Sequence, residues 1–168
     1  MVQELICLET KVEIAPRVPG RWTRPQEHWV SGVVIRDSEG RFLSAAARRY
    51  EHVPDALTGE ALAARDGLRL VGEQGHENVI LELDNLPLVN LLRSDEGRRS
   101  VIAGIWQEIR ELCRVFRCFK LLHVNREGNE AAQFCATLPL ESNPELFWSD
   151  CFRTRLVEVV QADCNPAN

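Results

Sequence analysis

The chain has 168 residues, 45% of them hydrophobic and 27% charged, and 20 Lys+Arg against 25 Asp+Glu leave a formal charge of −5. That balance excludes a disordered chain, which needs low hydrophobicity and a large charge imbalance, and the length fits one domain with a sizeable core. No apolar run approaches the ~20 residues of a membrane span, and an acidic chain disfavours a strong non-specific hold on nucleic acid.

The N-terminal Met1-Val2-Gln3-Glu4-Leu5 lacks the basic region and long apolar stretch of a signal peptide. Cysteines stand at 7, 113, 118, 135, 151 and 164, with no CxxC pair and no zinc spacing of Cys and His. Cys113 and Cys135 sit within apolar patterns and read as small core residues. Reduced thiols and an intracellular location, cytoplasmic or nuclear and not secreted, are expected.

In chain order, residues 1–28 form an N-terminal segment and linker. Within it, Lys11-Val12-Glu13-Ile14-Ala15 alternates like a short strand, and Pro16, Pro19-Gly20 and Pro25 punctuate the linker-like stretch behind it. Trp29-Val30-Ser31-Gly32-Val33-Val34-Ile35-Arg36 is β-rich. Asp37-Ser38-Glu39-Gly40 is a turn, and Arg41-Phe42-Leu43-Ser44-Ala45-Ala46 returns as the partner strand of a hairpin. Thr58 is the expected N-cap of a helix carrying Leu57, Ala61, Ala64, Leu68 and Val71 at helical spacing, and Gly75 is its stop.

Asn78-Val79-Ile80-Leu81-Glu82-Leu83-Asp84 is a nearly continuous apolar strand, suited to burial on both faces. A short helix comes next, over 86–92. A long helix is expected over 98–116, because Ile102, Ile105, Trp106, Ile109, Leu112, Cys113 and Phe116 make one stripe. That stripe, Trp106 included, reads as core. Phe119-Lys120-Leu121-Leu122-His123-Val124 is a strand with His123 packed inside it, and Asn129 caps a last helix through Leu138. Residues 139–168 read as an acidic tail with a possible short helix over 152–160. The order from residue 29 is β-β-α-β-α-α-β-α, an α/β sheet covered by helices over 29–138.

Four segments carry a family resemblance. They are Gly32-Val33-Val34-Ile35-Arg36-Asp37 with Gly40; Glu60-Ala61-Leu62-Ala63-Ala64-Arg65-Asp66-Gly67-Leu68; Leu81-Glu82-Leu83-Asp84-Asn85 with Leu88-Val89; and His123-Val124-Asn125-Arg126-Glu127-Gly128-Asn129. In this order and spacing they resemble the RNase H-like, or reverse-transcriptase-like, domains abundant in plants. The resemblance implies a mixed five-stranded sheet flanked by helices, a retroelement-related origin, and hydrolysis of the RNA strand of an RNA–DNA hybrid. In that family four carboxylates hold two Mg²⁺ ions about 4 Å apart, which activate water and stabilise the leaving oxygen.

Matched residue by residue, Glu60 stands at the helix-one acid and Asp84 at the strand-four acid. The last-helix acid reads Gln133, after Ala132. For the strand-one acid two alignments are open. If 11–15 is strand one, Ala15 takes the acid's place. If Arg21-Trp22-Thr23-Arg24-Pro25 resembles the stretch before strand one, which fits the motifs better, that strand is deleted and another segment, 11–15 first, fills the gap. Two carboxylates cannot neutralise two divalent ions, so one weakly held Mg²⁺ or Mn²⁺ at Glu60 and Asp84 is the expected limit. Glu13 or Glu130 would be the substitute acid.

The expectation is a nucleic-acid-binding, catalytically impaired relative of the hybrid ribonucleases, a pseudoenzyme. Asn85, Arg126 and Asn129 are nucleic-acid contacts implied by the resemblance. The rivals are an active Mg²⁺-dependent hybrid ribonuclease and a protein-interaction module without nucleic-acid function. Arg48-Arg49 and Arg98-Arg99 could touch phosphate, although such runs are usually solvated faces.

Overall fold

The structure, a computed structural model, describes residues 10–17, 28–125, 130–138 and 143–149. Its strands are β1 (Thr10–Arg17), β2 (His28–Arg36), β3 (Phe42–Glu51), β4 (Asn78–Leu83), β5 (Cys118–His123) and β6 (Glu145–Ser149). Its helices are α1 (Ala56–Glu73), α2 (Leu86–Arg93), α3 (Ala103–Cys113) and α4 (Glu130–Cys135), with a 3-10 turn over Asp95–Arg99.

The strands form one mixed sheet in the order β5-β4-β1-β2-β3-β6. β1 runs parallel to β4 and antiparallel to β2, and β4 runs parallel to β5. The expected mixed sheet flanked by helices is present, with a sixth strand added. β1 takes the central position, so the strand that the motif alignment leaves out is supplied by residues 10–17.

One core layer lies between the sheet and α1, α2 and α3. It gathers Val12, Val33, Ile35, Leu68, Leu81 and Trp106 among others. The opposite layer packs Val34, Ala45 and Ala47 against Ala131, Ala132 and Cys135 of α4. The split reflects the two-residue alternation of a strand, since Val33 and Ile35 point one way and Val34 the other. Small residues set how close α1 comes: Ala61, Ala63, Ala64 and Gly67 are all buried.

Several sequence expectations need correction. Asp55, not Thr58, caps α1, its carboxylate accepting from the Thr58 N–H at 2.7 Å. The helix expected over 98–116 is a 3-10 turn followed by the shorter α3. Ser100 Oγ donates to the Gly97 carbonyl at 2.8 Å and accepts from the Ile102 N–H at 3.3 Å, local bonds that compete with a continuous helix. The apolar stripe nevertheless holds, with Ile102, Trp106, Ile109 and Phe116 buried, each contributing about 2 kcal/mol by removal from water.

His123 is exposed rather than packed, because β5 is an edge strand. Residues 145–149, read as part of a tail, form β6 against β3, with Trp148 opposite Ala45. Trp148 is buried against the α4 layer, which gives that strand its anchor. The expected helix over 152–160 and the cap at Asn129 lie outside the described residues.

Candidate nucleic-acid site

The parallel β1–β4 pair sets the geometry. Ile14 registers with Leu83, so both strands finish at the same end of the sheet. Asp84 comes directly after Leu83, as Ala15 comes directly after Ile14, each one residue beyond the last paired position. The chain then turns into α2 through Asn85, whose side chain accepts from the Leu88 N–H at 2.8 Å. Asn85 is thus a helix cap, and its amide NH₂ is the part left for an outside contact.

Glu60 comes to the same end from α1. The preceding residue, Gly59, lies under the indole of Trp29, where a Cβ would overlap the ring. Trp29 stands one step beyond Val30, which pairs with Arg17 near the end of β1. The start of α1 is therefore pinned where β1 and β4 finish. Glu60 is half-buried, with its Oε2 shut off from solvent.

Gln133 arrives from the opposite layer. Gly32 pairs with Ala15 on β1. A Cβ at Gly32 would overlap the Ala132 carbonyl, so α4 meets β2 backbone to backbone at this point. Gln133, half-buried, is the next residue after Ala132. α1, which carries Glu60, and α4, which carries Gln133, thus pack on opposite faces of the sheet. Arg126 and Asn129 lie outside the described residues.

Sequence reasoning gave no role to Glu82, which is buried at 8% exposure and registers with Glu13. Strand alternation puts it on the same side of β4 as Asp84. Its position inside an otherwise apolar run was the available signal. The arginine pairs divide. Arg48 is held by Asp66 at 2.7 Å and Arg49 by Glu51 at 3.0 Å, whereas Arg98 stacks on Trp106 at 5.9 Å from the ring centroid. Trp106 belongs to the core, its Nε1 donating to the Leu91 carbonyl at 2.9 Å.

Among the described residues no group of three or more His, Cys, Asp or Glu side chains is gathered as a metal-binding set. Glu60 and Asp84 offer two carboxylates, and Gln133 adds a neutral amide oxygen. Mg²⁺ draws on carboxylate oxygens and water, so these donors do not fit a two-ion centre.

The profile of the reverse transcriptase-like family matches residues 18–138. No curated protein matches the chain. Among solved structures, RNase H1 from the halophilic archaeon Halobacterium salinarum NRC-1 is 18% identical with a TM-score of 0.62, over 77% of this chain and 94% of that one. LC9-RNase H1, a type 1 RNase H with the type 2 active-site motif, is 12% identical with a TM-score of 0.68, over 90% and 84%. LC11-RNase H1, solved in complex with RNA/DNA hybrid, is 16% identical with a TM-score of 0.62, over 80% and 97%. At these identities the likeness is one of fold.

Proposed function

Because the chain belongs to the reverse transcriptase-like family and has the RNase H-like fold, we propose that it binds nucleic acid, RNA–DNA hybrid first, and that it cuts that hybrid poorly or not at all. One observation supports the reading: β1 and β4 are parallel neighbours whose paired positions end at Ile14 and Leu83, directly before Ala15 and Asp84, while Gly59 packs on Trp29 and Ala132 on Gly32, the residues next to Glu60 and Gln133. In this reading the strand ends are the place of the family's phosphodiester-processing site, with Ala15 and Gln133 standing where the resemblance puts two of its four acids. Such a site can hold a hybrid through groove and backbone contacts, but it lacks the carboxylates that fix ions for in-line attack.

LC11-RNase H1 was solved with RNA/DNA hybrid, which supports hybrid as the first ligand to try. An intracellular setting suits the free thiols of Cys113, Cys118 and Cys135. An active enzyme would need a substitute acid from Glu13, in register with Glu82, or from Glu130.

The test is a labelled hybrid incubated with the full chain in Mg²⁺ and in Mn²⁺. Retention of the hybrid without strand scission is expected. Multiple-turnover cleavage that Asp84→Asn abolishes would show an intact enzyme, and absence of any binding would defeat the reading altogether.

A further inference from the structure

Most described arginines in the first half of the chain are held by carboxylates. Arg41 pairs with Asp37 and Glu39, Arg48 with Asp66, Arg49 with Glu51, Arg65 with Asp66, and Arg69 with Glu108. Arg98, Arg110 and Arg114 differ. Among the described residues they form no ion pair, and all three are exposed. They line one cleft of about 410 Å³ beside α3 and the 3-10 turn, together with Trp106, Asp95 and Glu111.

The cleft is built rather than incidental. Trp106 is 5% exposed, fixed by its bond to the Leu91 carbonyl and by Gly97, where a Cβ would overlap its ring. The guanidinium carbons of Arg98 and Arg110 stand 5.9 and 5.4 Å from the indole centroid. Stacking on an indole orients a guanidinium without neutralising it; Arg110 Nη1 donates to the Leu92 carbonyl at 3.5 Å, and the charge and the remaining N–H donors stay available to an outside acceptor. Three positive groups outnumber the two carboxylates, and Glu111 already accepts from Gln107 Nε2 at 3.2 Å.

Shape narrows the ligand. Residues 103, 107, 110 and 114 recur every three or four positions along one helix side and line the same cleft. At 1.5 Å per residue that side is about 16 Å long, which suits a chain of anions better than a single one. A nucleic-acid strand advances about 3.4 Å per phosphate along the duplex axis, so several phosphates span it. We propose that this cleft carries the phosphate backbone of a nucleic-acid strand, outside the carboxylate site. α2 begins two residues after Asp84, and its eight residues lead toward the turn that holds Arg98, an advance of about 12 Å. One strand can therefore serve both places. The proposal rests on the nucleic-acid reading above.

The test compares two double variants of the full chain. Arg98→Gln with Arg110→Gln removes two stacked guanidiniums. Arg41→Gln with Arg69→Gln removes the same charge from ion-paired positions. Binding of a labelled RNA–DNA hybrid is measured by fluorescence anisotropy at about 50 and about 200 mM salt. The first pair should weaken binding about ten-fold at low salt and make the log–log salt slope shallower by about 1.8, near 0.9 for each lost phosphate contact. The second pair should change affinity by less than about two-fold, since an exposed charge already satisfied by a carboxylate contributes little. Arg98→Lys with Arg110→Lys should restore most of the slope. Equal losses in both Gln pairs, or none in the first, overturn this proposal and leave the nucleic-acid reading standing. A wild-type chain that binds no hybrid, or that takes polyglutamate at this cleft instead, overturns it as well, and only the absence of hybrid binding overturns both.

Discussion

The carbonyl of Ala132 occupies the space that a side chain would take at Gly32. Because the obstruction is backbone, it cannot swing aside. Gly32→Ala should therefore push α4 off β2 and destabilise the protein by about 3 kcal/mol, the upper range for overpacking. Gly104→Ala is its counterpart: a Cβ there meets nothing within 4 Å, and alanine in a helix gains up to about 1 kcal/mol over glycine. Urea unfolding midpoints should move in opposite directions for the two variants.

Ala132, the neighbour of Gln133, meets Gly32, which pairs with Ala15, and the β1–β4 register ends at Ile14 and Leu83, the residues before Ala15 and Asp84. Gln133→Asp with Ala15→Asp should raise Mg²⁺ affinity more than the two single changes together, since ligands acting on one ion are non-additive. Isothermal titration with Mg²⁺ reads this directly. If Ala15→Asp adds nothing to Gln133→Asp, residue 15 is not part of the site, and the deletion alignment gains.

Tyr50 is the sole tyrosine of the chain, so its titration can be tracked cleanly by ultraviolet absorbance. Burial first, and then the negative charge of Asp66 that accepts its hydroxyl proton at 2.9 Å, holds its pKa well above the usual 10.0. Asp66→Asn should lower that pKa while leaving it raised, because burial remains. The folded state keeps the proton longer than the unfolded chain, and this fixes the sign for stability. The contribution is complete below about pH 10 and is lost as pH climbs toward the folded-state pKa. Thermal midpoints of the wild type should fall over that alkaline range.

Burial pushes the Cys113 thiol up to about 12, so almost no thiolate is present near neutral pH. Iodoacetamide at pH 8 should leave Cys113 unmodified in the native protein and label it once urea unfolds the chain. Rapid native labelling would mean that the α3–core contact opens readily. Cys135, with no exposed surface, should share this protection.

The sequence by itself determined the parts whose causes are local. The β2–β3 hairpin was legible because Asp37 and Gly40 close it: the carboxylate accepts from the Glu39 and Arg41 N–H groups, and Gly40 takes φ 79°. α1 was legible from its helical periodicity and β4 from its nearly continuous apolar run. The apolar run that made β4 readable left Glu82 unexplained, since hydrophobicity alone does not say why one acid is buried within it. Tertiary structure decided what depends on a distant partner. Residues 10–17 became the central strand because β2 and β4 each offer it a hydrogen-bonding edge, and β6 became a strand because Trp148 finds Ala45, Ala47 and Cys135 to bury against. The arginines divided in the same way. Arg48 and Arg98 look alike in sequence, but the fold brings Asp66 to the first and an indole face to the second, so the first is ion-paired and the second is stacked.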